Sequence, residues 1–461
     1  MTTPVRDPAA PTGESATDLG ETSLARETMR RVGLHLLPFL FLLYVCAYLD
    51  RSNVAIAALQ MNRSLHFSAT AYGMGASVFF LSYAAFEVPS NIVLARVGAR
   101  RWIARIMVSW GVIAAATMFV RTPFSFYVLR FLLGAAEAGF FPGVVYYLGQ
   151  WFPAAWRGRA IARFMVAIPI SGAIGGPVGG LLLRLDGLHG LAGWQWLYLL
   201  EGLPSIVLGV VVLFVLPDRP ADARFLTSDQ REWLDQRLLR EQATSATARD
   251  LTAMQVLVSP MLWIVAAPYL LVNTAGYAYV FWAPTVVRDA LRASDVGTGV
   301  IIGAIALVAA VAGLAVGASS DRRNERCLHA ASGACIMAAG FAGAALLPTP
   351  LARIVAFILV PIGSQSFFPG YWCLPGMLLR GTAAAAGIAL VNAIGNIGGF
   401  VGPNVVGFLI DSTGSTRAPF LVLATLPLLA AGLMLVFKRQ AAFAMGPRTA
   451  VPSAAILDDT A

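Results

Sequence analysis

IGGPVG at Ile174–Gly179 and IGGFVG at Ile397–Gly402 are nearly one phrase written twice. Arg157-Gly158 stands 17 residues before the first copy, and Arg380-Gly381 stands 17 residues before the second. The copies are offset by 223 residues in a chain of 461. Offset and internal spacing repeat together, which points to two parallel repeats related by an axis along a membrane normal. The glycines also recur every four residues, at Gly172, Gly176 and Gly180, at Gly175 and Gly179, at Gly395 and Gly399, and at Gly398 and Gly402. Small-xxx-small spacing lets helix backbones approach closely. Close packing is therefore the expected role, with a substrate-facing cleft as the alternative.

The sequence around both copies is apolar. Over the whole chain 58% of residues are hydrophobic and 12% are charged, about half the roughly 25% charge of soluble domains. Mean hydropathy is +0.71. Such a composition cannot clothe a soluble surface, which excludes an ordinary cytosolic enzyme, a secreted disulfide scaffold and a disordered chain. A membrane helix needs roughly 20 mostly apolar residues. Twelve segments qualify, at about 33–59, 69–94, 102–120, 124–149, 160–183 and 196–216, then 258–287, 297–319, 327–347, 351–379, 383–410 and 418–437. The expected fold is an all-α polytopic membrane protein of twelve transmembrane helices in two six-helix parallel repeats. Long unbroken runs exclude a β-barrel, whose strands alternate over about ten residues.

The net charge of +9 lies in short arginine clusters between apolar runs rather than in a nucleic-acid-binding stripe, so no nucleic-acid partner is expected. Arg96, Arg100, Arg101 and Arg105 follow the second span, Arg157, Arg159 and Arg163 the fourth, and Arg322, Arg323 and Arg326 the eighth. By the positive-inside rule these loops and both termini are cytoplasmic. The expected organisation is a disordered tail over 1–31, a first bundle over 32–216, a linker over 217–257, a second bundle over 258–437 and a tail over 438–461. The linker contains an amphipathic stretch, Asp229–Glu241, with Trp233, Leu234, Leu238 and Leu239 on one side.

Four cysteines lack metal or CxxC spacing, four histidines are scattered, and no phosphate-binding glycine loop with lysine is present. Neither an enzyme nor a metal or other cofactor is expected.

Tyr48-Leu49-Asp50-Arg51-Ser52-Asn53 lies in the first span, Phe86-Glu87-Val88-Pro89-Ser90-Asn91 ends the second, and Arg130-Phe131-Leu132-Leu133-Gly134-Ala135-Ala136-Glu137-Ala138-Gly139-Phe140-Phe141-Pro142-Gly143 occupies the fourth. Gly193-Trp194-Gln195-Trp196, Glu201-Gly202 and Pro217-Asp218-Arg219-Pro220 follow. On these motifs, over nearly all of 33–437, the chain resembles the major facilitator superfamily. More narrowly it is similar to the anion:cation symporters of the tartrate, phthalate and hydroxyphenylacetate permease branch. It departs at the loop after the second span, where Ala95-Arg96 lacks the acid that the second half keeps as Asp321-Arg322. Arg96, Arg100, Asp321 and Arg322 are the expected cytoplasmic gate.

A charge in the bilayer core is costly and tends to face the bundle interior with a partner. Asp50, Arg51, Arg130 and Glu137 are such charges. Asp50 and Arg51 point about 100° apart on a helix, so they are expected to seek different partners. One economical arrangement pairs Asp50 with Arg130 and leaves Arg51 for the cavity. A guanidinium suits a carboxylate ligand, and carboxyls that move between desolvated and ion-paired surroundings can load and release protons. Arg51 is therefore the expected anion site, with Asp50, Glu137 and Arg130 in proton coupling. The resemblance implies the same roles for the matching Arg, Asp and Glu. A fixed charge network tying the first and fourth spans is the alternative. Glu87 and Glu201 are expected to be structural or locally salt-bridged, Glu87 near the basic loop.

Tyr48, Tyr83, Asn273, Tyr277, Trp372 and Asn392 are expected to complete a cavity for a small, partly apolar acid near the midplane between the repeats. The expected activity is proton-coupled import of an aromatic or hydroxy carboxylate by alternating access. The setting would be a bacterial-type inner membrane, with the chain acting as a monomer. An exporter or uncoupled exchanger of small organic acids is the alternative.

Overall fold

Among the described residues, twelve helices are long and apolar enough to cross a membrane. The computed structural model describes residues 16–245, 260–323, 325–374 and 382–444. In chain order the spans are α1 (Ala16–Ser64), α2 (Ala69–Val97), α3 (Ala99–Ala116), α4 (Pro123–Glu137) continued by α5 (Phe140–Gly149), α6 (Ala154–Met165) continued by α7 (Ala167–Leu182), and α8 (Gly193–Val215). After α9 (Ser228–Ser245) come α10 (Pro260–Leu291), α11 (Asp295–Arg323), α12 (Cys327–Leu346), α13 (Pro350–Tyr371), α14 (Thr382–Thr413) and α15 (Arg417–Ala444). Arg380-Gly381, Pro375 and the extreme termini lie outside the described residues.

Two expectations need correction, at the N-terminus and in α9, and the fourth span carries a break inside its expected bounds. The N-terminal stretch is helical from Ala16, not a tail to residue 31. Arg26, Glu27 and Arg30 are exposed on it, and Arg31 pairs one turn back with Glu27 at 2.8 Å. The fourth span is broken after Glu137, where Gly139 takes a left-handed φ of 87° before α5 begins. A Cβ there would also press on the Ser90 side chain, so both backbone and space demand glycine. In α9, Leu234 and Leu238 are buried and Trp233 packs edge-on to Trp156 at 6.3 Å, but Leu239 is exposed. Its buried face is narrower than the sequence pattern.

The described chain divides into two compact units. One gathers Met1–Asn53, Ser82–Gly175 and Leu185–Ala248. Its core is aromatic, with Trp110, Phe126, Phe140, Tyr147, Trp151, Phe164 and Tyr198 fully buried. The α9 helix belongs to it: Glu241 accepts from the Ala154 N–H at 3.0 Å, at the start of α6, where a carboxylate complements the helix dipole.

The other unit gathers Val54–Leu81, Gly176–Arg184 and Arg249–Ala461. Here the repeated glycines pack backbone against backbone. A Cβ on Gly176 would strike the Gly299 carbonyl, one on Gly180 would lie 2.9 Å from the Asp295 carbonyl, and one on Gly398 would lie 2.7 Å from the Thr274 nitrogen. Near the end of α14, Asp411 accepts from the Ala69 and Thr70 N–H groups of α2 at 3.0 and 2.7 Å, capping that helix. Tyr72 donates to the Phe281 carbonyl at 2.8 Å, and Arg288 donates to the Leu59 carbonyl.

Candidate functional site

The break after Glu137 shapes the first unit. Glu137 is the last residue of α4, beside the negative end of that helix, where a cationic partner is favoured. Arg51 of α1 supplies it: the guanidinium donates to the Glu137 carboxylate, and their side chains are 15% and 2% exposed. The same guanidinium lies 5.5 Å from the Tyr48 ring centroid and 5.2 Å from that of Tyr83, within cation–π range. Arg51, Tyr48, Tyr83 and Glu137 are thus brought together. Arg130 is fully buried two turns before Glu137 and interacts electrostatically with it. Glu87 interacts with Arg51 rather than only with the basic loop.

Asp50 takes a different route from the expected pairing with Arg130. One residue before Arg51 on the helix, it faces α3 and α8. Its Oδ2 accepts from the Trp110 indole N–H at 2.6 Å and the Ser205 hydroxyl at 2.8 Å. Two neutral donors hold this carboxyl, while the arginine next to it serves Glu137.

Two aromatic residues were missed by sequence reasoning. Tyr44 stacks on Phe164 at 4.5 Å and meets Tyr48 edge-on at 5.3 Å, extending the aromatic wall beside Arg51. Tyr269, in the second unit, donates its hydroxyl to Asn392 at 3.3 Å and lies 4.9 Å from Trp372. It also adjoins Asn273 across Gly395. Each lies four residues before a residue already singled out, so extending that helical step would have found it. Tyr277 goes elsewhere: its ring packs on Phe80 at 4.4 Å and stacks with Phe281 at 6.4 Å. Asn273, Trp372 and Asn392 converge on Tyr269, and Tyr277 joins a separate aromatic cluster.

The expected gate residues pair locally. Arg100 binds Asp218 through both its backbone N–H at 3.0 Å and its Nε at 3.3 Å. The acid absent from the loop after the second span is thus supplied by the Pro217-Asp218-Arg219-Pro220 loop. Asp321 accepts from Arg326, while Arg96 and Arg322 are exposed.

Comparison with known proteins decides the family. The sequence model of the Major Facilitator Superfamily matches residues 40–386. The chain belongs to the major facilitator superfamily. A second model, described as vacuole effluxer Atg22 like, matches residues 385–443. A protein of Agrobacterium vitis named "Putative tartrate transporter" is 43% identical over 429 residues, covering 93% of this chain and 95% of that one. One of Pseudomonas putida named "Putative metabolite transport protein NicT" is 42% identical over 397 residues, covering 86% and 90%. Among solved structures, a bacterial homolog of the human lysosomal transporter Spinster, inward-facing and unoccupied, superposes with a TM-score of 0.75 at 15% identity. That match covers 88% of this chain and 97% of the other. Family and fold are those of a multi-pass membrane transporter of the major facilitator superfamily, not of an enzyme.

Proposed function

We propose that this major facilitator transporter is a proton-coupled symporter that imports a small organic anion, a tartrate-like hydroxy carboxylate or an aromatic acid, by alternating access. The observation that carries the reading is the ion pair between Arg51 and Glu137. One guanidinium serves one internal carboxylate, and an anionic substrate needs that same guanidinium. While Glu137 is ionised, it competes with the substrate. When Glu137 takes a proton, Arg51 is released to make the charge-assisted, bidentate contact that carboxylates accept. Substrate and proton are then bound together, and neither is favoured alone. Tyr44, Tyr48 and Tyr83 give the anion apolar walls. The name of the Agrobacterium vitis relative, a tartrate transporter, supports an acid of this class.

In this reading the chain acts as a monomer in a bacterial-type inner membrane, with both termini cytoplasmic. More than one proton per monoanion would carry net positive charge inward, so the membrane potential would add to the drive. The test is uptake of labelled tartrate, a panel of aromatic acids and a neutral sugar by purified protein in liposomes under an inward proton gradient. Gradient-driven accumulation of a carboxylate, lost in Arg51→Ala, is the expected result. Exchange without proton movement would make the protein an uncoupled exchanger. Movement of only a neutral solute would refute the anion site.

A further inference from the structure

Three buried polar side chains near Asp50, those of Asn53, Tyr198 and Glu201, are left without a role by the Arg51–Glu137 pair. The Asp50–Ser205 hydrogen bond sets the register between α1 and α8. Spans one and six run in opposite directions, so one turn further along α1 and one turn earlier along α8 reach the same depth. These positions are Asn53 and Glu201. One further turn along α8, toward the 183–192 loop, is Tyr198. Asn53 is 4% exposed, Glu201 9% and Tyr198 2%. Glu201 Oε2, both polar atoms of the Asn53 amide, the Tyr198 hydroxyl and Asp50 Oδ1 are all buried and make no hydrogen bond. The Glu201 carboxyl adjoins Asn53 and interacts electrostatically with Asp50. Tyr198 interacts with Glu201.

Unbonded polar atoms inside a membrane protein are costly, and two adjacent ionised carboxylates cannot share a dry site. One proton carried by the pair relieves the second problem: one carboxyl is neutral, the other is ionised, and the pair carries a single charge. We propose that Asp50 and Glu201 hold one shared proton, oriented by the Asn53 amide and delivered past the Tyr198 hydroxyl from the end of α8 nearest the 183–192 loop. Glu201 is then the second carboxyl of the coupling machinery rather than a structural acid. The step is a proton transfer alone. The O–H bond at Glu201 breaks as the one at Asp50 forms; Asp50 then gives that proton up to water, and a proton from water on the Tyr198 side restores Glu201, so the pair again holds one proton. The other titratable groups facing the pair are Cys46 on α1, Glu137 on α4 and Tyr198 on α8, with Arg130 of α4 reaching Tyr198.

This inference rests on the proton-coupled reading above, and two measurements on the full-length protein keep the two apart. The first is infrared difference spectroscopy between acidic and mildly alkaline buffer, which reads protonated carboxyls without any substrate. A carboxyl band lost in Glu201→Gln and displaced in Asp50→Asn is expected. A band unchanged by Glu201→Gln would overturn the shared proton. The second is tartrate transport in liposomes. Glu201→Gln should lose gradient-driven accumulation, while a melting curve like that of the unmutated protein shows that it folds. Glu201→Asp should restore the drive, and Tyr198→Phe should slow it. Intact proton drive in Glu201→Gln would refute the coupling role. Absence of proton drive in the unmutated protein, with the infrared band intact, would refute the symport reading and leave the shared proton standing.

Discussion

Replacing Glu137 with glutamine removes the carboxylate that occupies Arg51. A hydrogen bond to a charged group contributes about 1.5–3 kcal/mol, and 1.4 kcal/mol is a factor of ten in affinity. The Glu137 side chain is only 2% exposed, so solvent screens little of this competition. An anion that must displace the ionised carboxylate should therefore bind about 10–100-fold more weakly than one meeting a free guanidinium. The sign with pH follows. Raising the pH ionises Glu137, so tartrate affinity of the unmutated protein falls as pH rises. Glu137→Gln should bind tartrate as tightly at alkaline pH as the unmutated protein does at acid pH, with a flat profile. It should exchange tartrate but not accumulate it under a proton gradient. Equilibrium binding of labelled tartrate in detergent across a pH series measures the first effect, and liposome uptake measures the second. A variant whose affinity is unchanged, or still falls with pH like the parent, would refute competition at Arg51. A melting curve guards against a trivial loss, since breaking a buried ion pair can cost about 3–5 kcal/mol.

Trp110→Phe and Ser205→Ala each remove one donor from Asp50 and should each lower stability by about 1.5–3 kcal/mol, read as a lower Tm in detergent. Gly176→Ala sets a methyl group against the Gly299 carbonyl and should destabilise by about 1–3 kcal/mol. Gly158→Ala, with open space around the added carbon, should leave Tm unchanged, and equal effects would discount the close packing. Asp411→Ala uncaps α2 and should cost about 0.5–2 kcal/mol by the same measurement. Between the eighth and ninth spans, partial burial opposes the charge of Glu325, but N–H groups of Leu328 and His329, the His329 ring and Lys438 outweigh it and hold its carboxyl below the usual range. A depressed folded pKa means that its stabilising contribution is complete above about pH 5 and is lost as pH falls through the folded value. Glu325→Gln should flatten that part of the acid-side decline in Tm, and an unchanged pH profile would contradict the assignment.

The candidate charges were legible in the sequence because an arginine or carboxylate inside an apolar run stands out. Their partners were not. Arg51 meets Glu137 rather than an empty cavity because the register between the first and fourth spans depends on how α4 ends, and hydropathy runs unbroken through Ala138-Gly139-Phe140. Trp110 reads as one more apolar residue of the third span, yet its indole N–H holds Asp50 from 60 residues away. Ser205 is a small residue inside a run of leucine and valine, and its value as a donor appears only once α8 lies beside α1. Tyr277 fitted a step of four along the seventh span, but that step cannot tell which turn reaches the Trp372 and Asn392 group. Tyr269, two turns earlier, does. The helical residues before 31 escaped because their buried stripe, Ala25, Thr28 and Met29, is too short and weakly apolar to stand out among the charges.

The Pro217-Asp218-Arg219-Pro220 loop and α9 have a consequence for anyone dividing this gene. Tyr147 donates to the Pro217 carbonyl at 2.7 Å, Asp218 tethers Arg100 at the head of α3, and Glu241 finishes the start of α6. The stretch joining the two six-span halves is therefore an accessory of the first, and its seam does not fall at the last apolar residue of the sixth span. A fragment ending at Leu216 would leave two helix starts unfinished. One ending beyond Ser245 carries its own fastenings, so split versions, half-chain fusions and inserted reporters belong beyond that point.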